Sequence, residues 1–588
     1  MPNVPNKMQM PTAITSYSNQ NLNGSHATTA NIMELNVATA MELVPHQSIN
    51  VSQRTFTRAN PMPVPTFGDC YIHNRAFFVP FRTIMPEWNE FITDTSANSS
   101  SGLPVLVSST PLLPNSELVK YFEVNSEGSA TLAYDINIIQ ETGIAEPRKL
   151  TPRGARALKI LTALGYAVDF NKRNEDANYS ALNILALAKV YLDWYYPSVY
   201  ITDYEASQVQ ILFEKKTSSL GAPYSLTYVD LDNIFLMIER VCYDADYFTS
   251  AWDNPVAPTS LTYSSISIND VTDPNSPPAL ETDPNGTPRI KSTYNLTQYG
   301  DDALHALTDY MKRHQMSGAR VLDRYLARFG VTLDSAILDR SIYLGSHTGM
   351  VDFGNVTSTA NSDGTPLGGY AGIGVGGSDG AFTYKSDEYG LFIILSSIVT
   401  RGGYYQGCDR MTMHTSKLDF YTPEFDNLGV QALATRELYV PLDAVEQYAD
   451  GTNILNAPAV DYNGLVFGFV PRYAEYKRGR DILSGDYRLG SRNSGKDAWY
   501  LYRDLTPYFK SLGVANAKHS VDFLQSADAD QYGRIFYNTD DSVDQFNILH
   551  LFNIKSRFPG KSLYDSYEFE DEDKAPKVSM DVNGVKAN

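Results

Sequence analysis

The chain has 588 residues, enough for about three to five domains at roughly 100–200 residues each. Its 47 Lys and Arg stand against 67 Asp and Glu, a formal net charge of −20, which excludes nucleic-acid binding through the overall field and leaves only local basic patches or a separate basic partner. A hydrophobic share of 43% excludes intrinsic disorder, and 40 Tyr and 26 Phe with only 19% charged residues fit a large β-rich protein with extensive buried or contact surface.

Residues 1–30 are rich in Asn, Ser, Thr and Gln without an apolar period and read as a polar N-terminal arm. Lys7 is the only charged side chain before Ile32 and no apolar run follows it, so no secretory signal is expected. From Met33 to Thr57 β-branched and apolar residues recur without helical spacing. Pro61, Pro63 and Pro65 mark an extended connector. Asp69–Phe81 predicts a strand that ends at Pro80. Two stretches read as insertions, at about 96–180 and 200–298. The first contains a predicted helix at Arg153–Leu164, and the second ends in a Pro-rich segment, 254–298. Between them Tyr179–Tyr196 has helical spacing and stops before Pro197.

Asp301–Phe329 predicts the longest helix, with an apolar stripe through Leu304, Leu307, Met311, Leu322 and Phe329. The chain then turns Gly-rich after Gly364 and β-like at Leu391–Arg401, Met411–Tyr421 and Gly464–Val470. An acidic extension, 560–588, closes it with Glu568–Asp573. No repeat of 20–50 residues is found, which argues against solenoids and propellers. The expected organisation is one β-sandwich domain over 31–588 with inserted loops and a few helices. The most apolar run, Leu391–Val399, is about half the length of a membrane-spanning helix, so no membrane insertion is expected.

Few motifs carry chemistry. Gly372-Ile-Gly374-Val-Gly376-Gly377 satisfies GxGxxG, but no helix start follows it, and it reads as a flexible loop. Asp528-Ala-Asp530 resembles the start of a calcium loop but has Tyr532 and Thr539 at ligand positions five and twelve. Cys70, Cys242 and Cys408 are too far apart for metal spacing, and the nine His lack any HExxH context. No catalytic residue, metal ligand or cofactor is assigned.

One patch stands out. Pro471–Lys496 carries seven cations against three anions, with Tyr473, Tyr476 and Tyr487 among Arg472, Lys477, Arg478, Arg480, Arg488 and Arg492. Cations for phosphates beside aromatic faces for bases hold single strands without sequence preference, so these six cations are DNA-contact candidates and the three tyrosines stacking candidates. The same composition also suits a salt-bridged loop or a subunit contact. A second basic run, Arg148, Lys149, Arg153, Arg156 and Lys159, reads as the solvated face of its helix.

An ordered set of segments resembles the major capsid protein of the Microviridae, small tailless bacteriophages with single-stranded DNA genomes, on their gokushovirus side. The segments begin with Arg58–Gly68, Arg75–Arg82 and Pro86–Ile92. They continue with Asp246–Ser250, Ala319–Val331, Tyr343–Gly345, Gly402–Gly407, Asp419–Pro423 and Gly468–Tyr476. The likeness spans roughly 33–505 and departs at 96–180, 200–240, 254–298 and the acidic tail. The resemblance implies an eight-stranded antiparallel jelly roll with long inserted loops. It implies sixty copies of this chain in an icosahedral virion shell, assembled in the bacterial cytoplasm around a circular single-stranded DNA genome. Implied partners are a small basic DNA-binding protein, a pilot protein, a scaffolding protein and a host surface receptor. The expected function is therefore structural rather than enzymatic. The alternatives are a host-binding spike or adhesin, and an exported glycan-active β-sandwich enzyme.

Overall fold

The computed structural model describes residues 17–98, 104–128, 135–139, 145–168, 170, 177–217, 224–253, 280–282, 288–290, 320, 325–326, 329–330, 339–357, 370–401, 403–417, 419–426, 430–440, 465–479, 481–487, 497–514, 516–525, 532–537 and 543–560. The expected helix at 301–329, the Pro-rich segment, the Asp528–Asp530 motif and the acidic tail lie wholly or almost wholly outside them.

The strands follow from side-chain alternation. In Ser48–Ala59, Ile49, Val51, Gln53, Thr55 and Thr57 are buried, while Asn50, Ser52, Arg54, Phe56 and Arg58 are exposed. Phe546–Pro559 alternates in the same way. Gly390–Thr400 is buried at every position, as its predominantly apolar sequence suits a strand covered on both faces. The main sheet comprises β1 (Tyr17–Asn21), β2 (Gly24–Ala30), β3 (Leu35–Leu43), β4 (Ser48–Ala59), β5 (Cys70–Pro80), β6 (Ile342–Thr357), β7 (Tyr370–Lys385), β8 (Gly390–Thr400) and, after the short pair β9 (Val430–Ala434) and β10 (Val466–Pro471), β11 (Phe546–Pro559). Its order is β1-β11-β4-β7-β6-β5-β8-β3, with β2 also on β11, and every pairing is antiparallel. β6 pairs with β5 through Ile342–Met350 and with β7 through Val351–Thr357, so the sheet curls there into two layers. This is the expected jelly roll, and residues 17–30 of the polar arm contribute two of its strands.

The interior has three levels. One apolar cluster contains Cys70, Ile72, Val351, Ile398, Phe546 and Ile548, and another contains Val51, Phe78, Phe392, Ile394, Phe552 and Ile554. Between them runs a polar belt of Gln53, Thr55, Asn74, Ser396 and His550, all about 1% exposed or less. Gln53 Nε2 reaches Asn74 Oδ1 at 3.1 Å and His550 Nδ1 at 3.2 Å, and the Thr55 hydroxyl lies 3.0 Å from the same ring nitrogen.

The outer face of β3, β5 and β8 is covered by helices. These are α1 (Trp88–Thr93), α2 (Asn115–Val124), α3 (Pro152–Ala163), α4 (Leu182–Val190), α5 (Tyr204–Leu212) and α6 (Tyr228–Met237). Their apolar faces meet Leu35, Val37, Phe77, Val79, Leu391 and Ile393 in the largest cluster of the molecule. Thr151 caps α3 through the Gly154 amide with Pro152 in the first turn, and Thr227 and Asp230 form a capping box on α6. α4 runs on through a π turn, Tyr191–Tyr195, and stops where Tyr196 turns extended before Pro197.

Three local expectations are corrected. The GxGxxG segment is no loop but part of β7: a side-chain carbon at Gly372 would come within 2.5 Å of the Val64 carbonyl, and one at Gly374 within 2.6 Å of Ala59 Cβ. The glycines serve close strand packing. Met411–Tyr421 is not a strand; a 3-10 turn, Arg410–Met413, follows Asp409, whose side chain accepts the Met411 amide. The basic run on α3 is not a solvated face. Arg156 is 9% exposed and pairs with Glu239 at 3.2 Å, and Lys159 lies between Glu34 and Asp544.

Candidate assembly and nucleic-acid surfaces

Three of the segments that carry the resemblance converge on one buried joint. β10 pairs with β9, and Trp252 and Phe469 exchange backbone hydrogen bonds of 2.9 and 2.7 Å. Asp246 folds its own turn by accepting the Phe248 and Thr249 amides, each at 2.7 Å, and the Tyr404 hydroxyl at 2.7 Å. Tyr247 donates to Glu437 at 3.0 Å, and Arg410 lies 2.8 Å from the same carboxylate. Glu437 is fully buried, and that burial pushes its carboxyl up from the ordinary range against the pull of Arg410. Hydrogen-bonded charge at this depth fixes the geometry of the joint.

The basic candidates belong largely to this joint. Arg478 donates to the Asp246 carbonyl at 2.6 Å and to the Ser250 hydroxyl. Lys477 pairs with Asp426. The Arg472 guanidinium lies 5.1 Å from the Phe425 ring and 5.2 Å from that of Tyr473. Tyr473 is 2% exposed, with left-handed backbone and its ring against Tyr421 and Tyr476. Tyr476 is 44% exposed and stacks near His414, while Tyr487 lies 6.2 Å from Tyr500. Arg480, Arg488 and Arg492 fall outside the described residues. The structure thus brings Arg472, Tyr473, Tyr476, Lys477 and Arg478 together, with their charges engaged inside the chain.

A second surface was not anticipated. Among the described residues the outer face of the β11-β4-β7 layer is largely uncovered, whereas that of β3-β5-β8 lies under helices. Its cross-strand rows run Asn547–Arg58–Val375, Leu549–Phe56–Gly377, Leu551–Arg54–Asp379, Asn553–Ser52–Ala381, Lys555–Asn50–Thr383 and Arg557–Ser48–Lys385. Phe56 is 46% and Val375 50% exposed. At the Phe56 end, α3 overhangs the sheet and leaves a groove of about 820 Å³ lined by Phe56, Arg58, Leu158, Lys159, Val375 and Leu549. The signal was present in the alternation of Ser48–Ala59 and Phe546–Pro559, whose outward set is basic and amide-rich.

Among the described residues no three His, Cys, Asp or Glu side chains are grouped to hold a metal, and no helix is long and apolar enough to cross a membrane. All three cysteines are free thiols.

The chain matches the family described as "Capsid protein (F protein)" over residues 8–126 and 179–557. The unmatched 127–178 contains α3. It is similar to "Capsid protein VP1" of Chlamydia phage 1, with 22% identity over 569 residues, 88% of this chain and 90% of that protein. It is also similar to "Capsid protein VP1" of Bdellovibrio phage phiMH2K, with 26% identity over 190 residues, 31% of this chain and 32% of that protein. With a jelly roll whose matched segments meet in one buried joint, and a family match over most of its length, the chain belongs to the phage capsid F protein family, the major capsid proteins of the Microviridae.

Proposed function

We propose that this capsid protein acts structurally, sixty copies closing an icosahedral shell around a circular single-stranded DNA genome. The observation that carries the reading is the family match over 8–126 and 179–557, which takes in both the sandwich and the joint. The architecture supports it physically. A rigid sandwich offers a fixed body, and a stable contact needs about 800 Å² per partner. Closed symmetry then adds many modest contacts into one stable shell. The inserted stretches at about 96–180 and 200–298 supply subunit contacts and surface for host attachment. At −20 the chain does not neutralise the genome, so a separate small basic protein takes that role, with pilot and scaffolding proteins as further partners.

Production with the neighbouring phage genes tests the reading by sedimentation and electron microscopy. Sixty chains of 65.4 kDa make about 3.9 MDa of protein. Uniform particles of that protein mass enclosing nuclease-protected single-stranded DNA are expected. Monomers or dimers under the same conditions would refute it.

A further inference from the structure

The outer face of the β11-β4-β7 layer is cationic. It presents Arg54, Arg58, Lys385, Lys555 and Arg557 outward, against Asp379 on the same rows and Asp352 on neighbouring β6. In a chain of net charge −20 this excess is local and one-sided. Only Arg54 is spent on an ion pair, with Asp379 at 3.2 Å and both side chains more than 60% exposed, a pairing of small worth. Arg58, Lys385 and Lys555 have no ion-pair partner among the described residues. Arg557 lies over the Tyr17 ring at 4.4 Å.

Between the cations stand flat and amide groups. Phe56 is flanked on its row by Gly377 on one side and Leu549 on the other, so the glycine leaves its ring unobstructed on that side. Asn50, Asn547 and Asn553 on the same rows offer amides that donate and accept. Successive outward side chains on one strand are roughly 6.8 Å apart, so the six rows form an extended track rather than a point site. Cations along a track with an aromatic platform are the means by which sheets hold single strands without reading sequence.

We propose that this sheet face is the surface on which the chain holds single-stranded nucleic acid. The groove under α3 takes a base against Phe56, and Arg58, Lys555, Arg557 and Lys385 take the backbone. The inference rests on the capsid reading for its biological setting but not for its chemistry. It assigns a contact to the sheet face; in the 471–496 segment Arg472, Lys477 and Arg478 make contacts within the chain, and Arg480, Arg488, Arg492 and Lys496 lie outside the described residues. Charge complementarity to a polyanion favours nucleic acid over a second copy of this acidic chain as the occupant.

The test uses the full-length chain and a fluorescein-labelled twenty-nucleotide oligo-dT, with anisotropy followed across a salt series. Each phosphate neutralised contributes about 0.7 to the slope of log affinity against log salt for single strands. The triple variant Arg58→Gln, Lys385→Gln, Lys555→Gln therefore lowers that slope by about 2. Phe56→Ala weakens binding about tenfold at fixed salt with the slope unchanged, at the lower part of the range for lost base stacking. Circular dichroism identical to wild type shows that these exposed substitutions leave the fold intact. Ultraviolet cross-linking of DNA-filled particles is the second readout, with adducts expected in 48–59 and 546–559. An unchanged slope in the triple variant overturns the proposal. So do adducts confined to 471–496, or a triple variant that binds oligo-dT normally but no longer associates with other copies, which would make the face a subunit contact. Failure to form particles bears on the capsid reading and leaves the oligo-dT result to stand by itself.

Discussion

Lys159 is the cation that fastens α3, the helix outside the family match, to the jelly roll. Its Nζ lies 2.8 Å from Glu34 Oε1 and 3.0 Å from Asp544 Oδ2, and the three side chains are 16%, 5% and 6% exposed. Asp544 also accepts from the Thr29 hydroxyl and from Asn31 Nδ2 at 3.1 Å, and Glu34 from the Asn31 amide at 2.8 Å. Burial by itself would lower the Lys159 ammonium, but the two carboxylates outweigh it and hold the group above the ordinary lysine range. Lys159→Met keeps the stem and removes the charge. Removing one partner of a buried pair costs about 3–5 kcal/mol, and the residual solvent access of Lys159 places this case near 3. At about 1.4 kcal/mol per factor of ten, local opening becomes about 150-fold more populated.

Hydrogen exchange reads that directly. Amides of 152–163 and 543–548 should lose roughly two orders of magnitude of protection at pH 7, while those of β8 keep theirs. In the wild type the raised ammonium stays charged throughout pH 5 to 8, so its contribution to protection stays level across that range. Protection within threefold of wild type at pH 7 would refute the assignment of α3's anchorage to this triad.

Burial, reinforced by His26 and His347, pushes His550 down to about 3, and burial chiefly pushes His519 down to about 4, against about 6.5 unfolded. Both stay neutral in the folded chain, so the unfolded chain binds protons first and stability falls as pH drops from about 6.5. Each contributes about 1.4 kcal/mol per pH unit, and His550→Gln should flatten the pH dependence of the urea midpoint between pH 6 and 4 by that amount; equal slopes would contradict it. Gly407→Ala places a carbon 1.8 Å from the Glu437 carbonyl, a backbone clash in the joint. The expected loss is about 3 kcal/mol or more, seen as a lower thermal midpoint, and an unchanged midpoint would count against the joint as drawn. Burial raises the Cys242 thiol to about 12 and that of Cys70 further. A thiol-disulfide reagent at pH 8 should therefore find at most one thiol, Cys408, in the folded chain and three in denaturant. Two or more fast thiols before denaturation would overturn that.

Strands that hold a concentrated apolar run between turn signals are legible from sequence. Asp69–Phe81 and Leu391–Arg401 were read nearly to their ends, because an apolar run between a turn and a proline has few other solutions. The glycine strand β7 was not. Its signal is small size at positions where another strand comes close, and only the pairing partner reveals that. α2, α5 and α6 escaped because their apolar stripes are short and their stability comes from packing on one another and on the sheet. The basic segment after Pro471 was visible as composition. That Arg478 closes the Asp246 turn, some 230 residues away in sequence, was not, since spacing along the chain says nothing of which carbonyls lie nearby. Conversely, Lys159 looked like a surface lysine because its two carboxylates come from opposite ends of the chain.

The polar belt explains why the sandwich tolerates a costly interior. Strand pairing repeats every two residues, so a slip of two keeps every side chain on its proper face, and alternation alone cannot oppose it. Here Val51 faces Ile554, Gln53 faces Phe552, Thr55 faces His550 and Thr57 faces Ile548. On the facing layer Asn74 lies opposite Ser396, with Ala76–Ile394 on one side and Ile72–Ile398 on the other. Sliding β4 by two toward either end would carry the Gln53 amide or the Thr55 hydroxyl away from Asn74 and His550 and into an apolar cluster. Each buried polar group so orphaned costs about 1–3 kcal/mol, and the belt members left behind lose partners as well. In register, Gln53 Nε2 and the Thr55 hydroxyl both lie within hydrogen-bond distance of His550 Nδ1. The apolar clusters above and below supply most of the cohesion and are indifferent to the slip. The belt contributes little net stability but separates one register from its neighbours by several kcal/mol, and a sheet held in one register keeps the outward rows, Phe56 beside Gly377 and Lys555 beside Asn50, in fixed alignment across three strands.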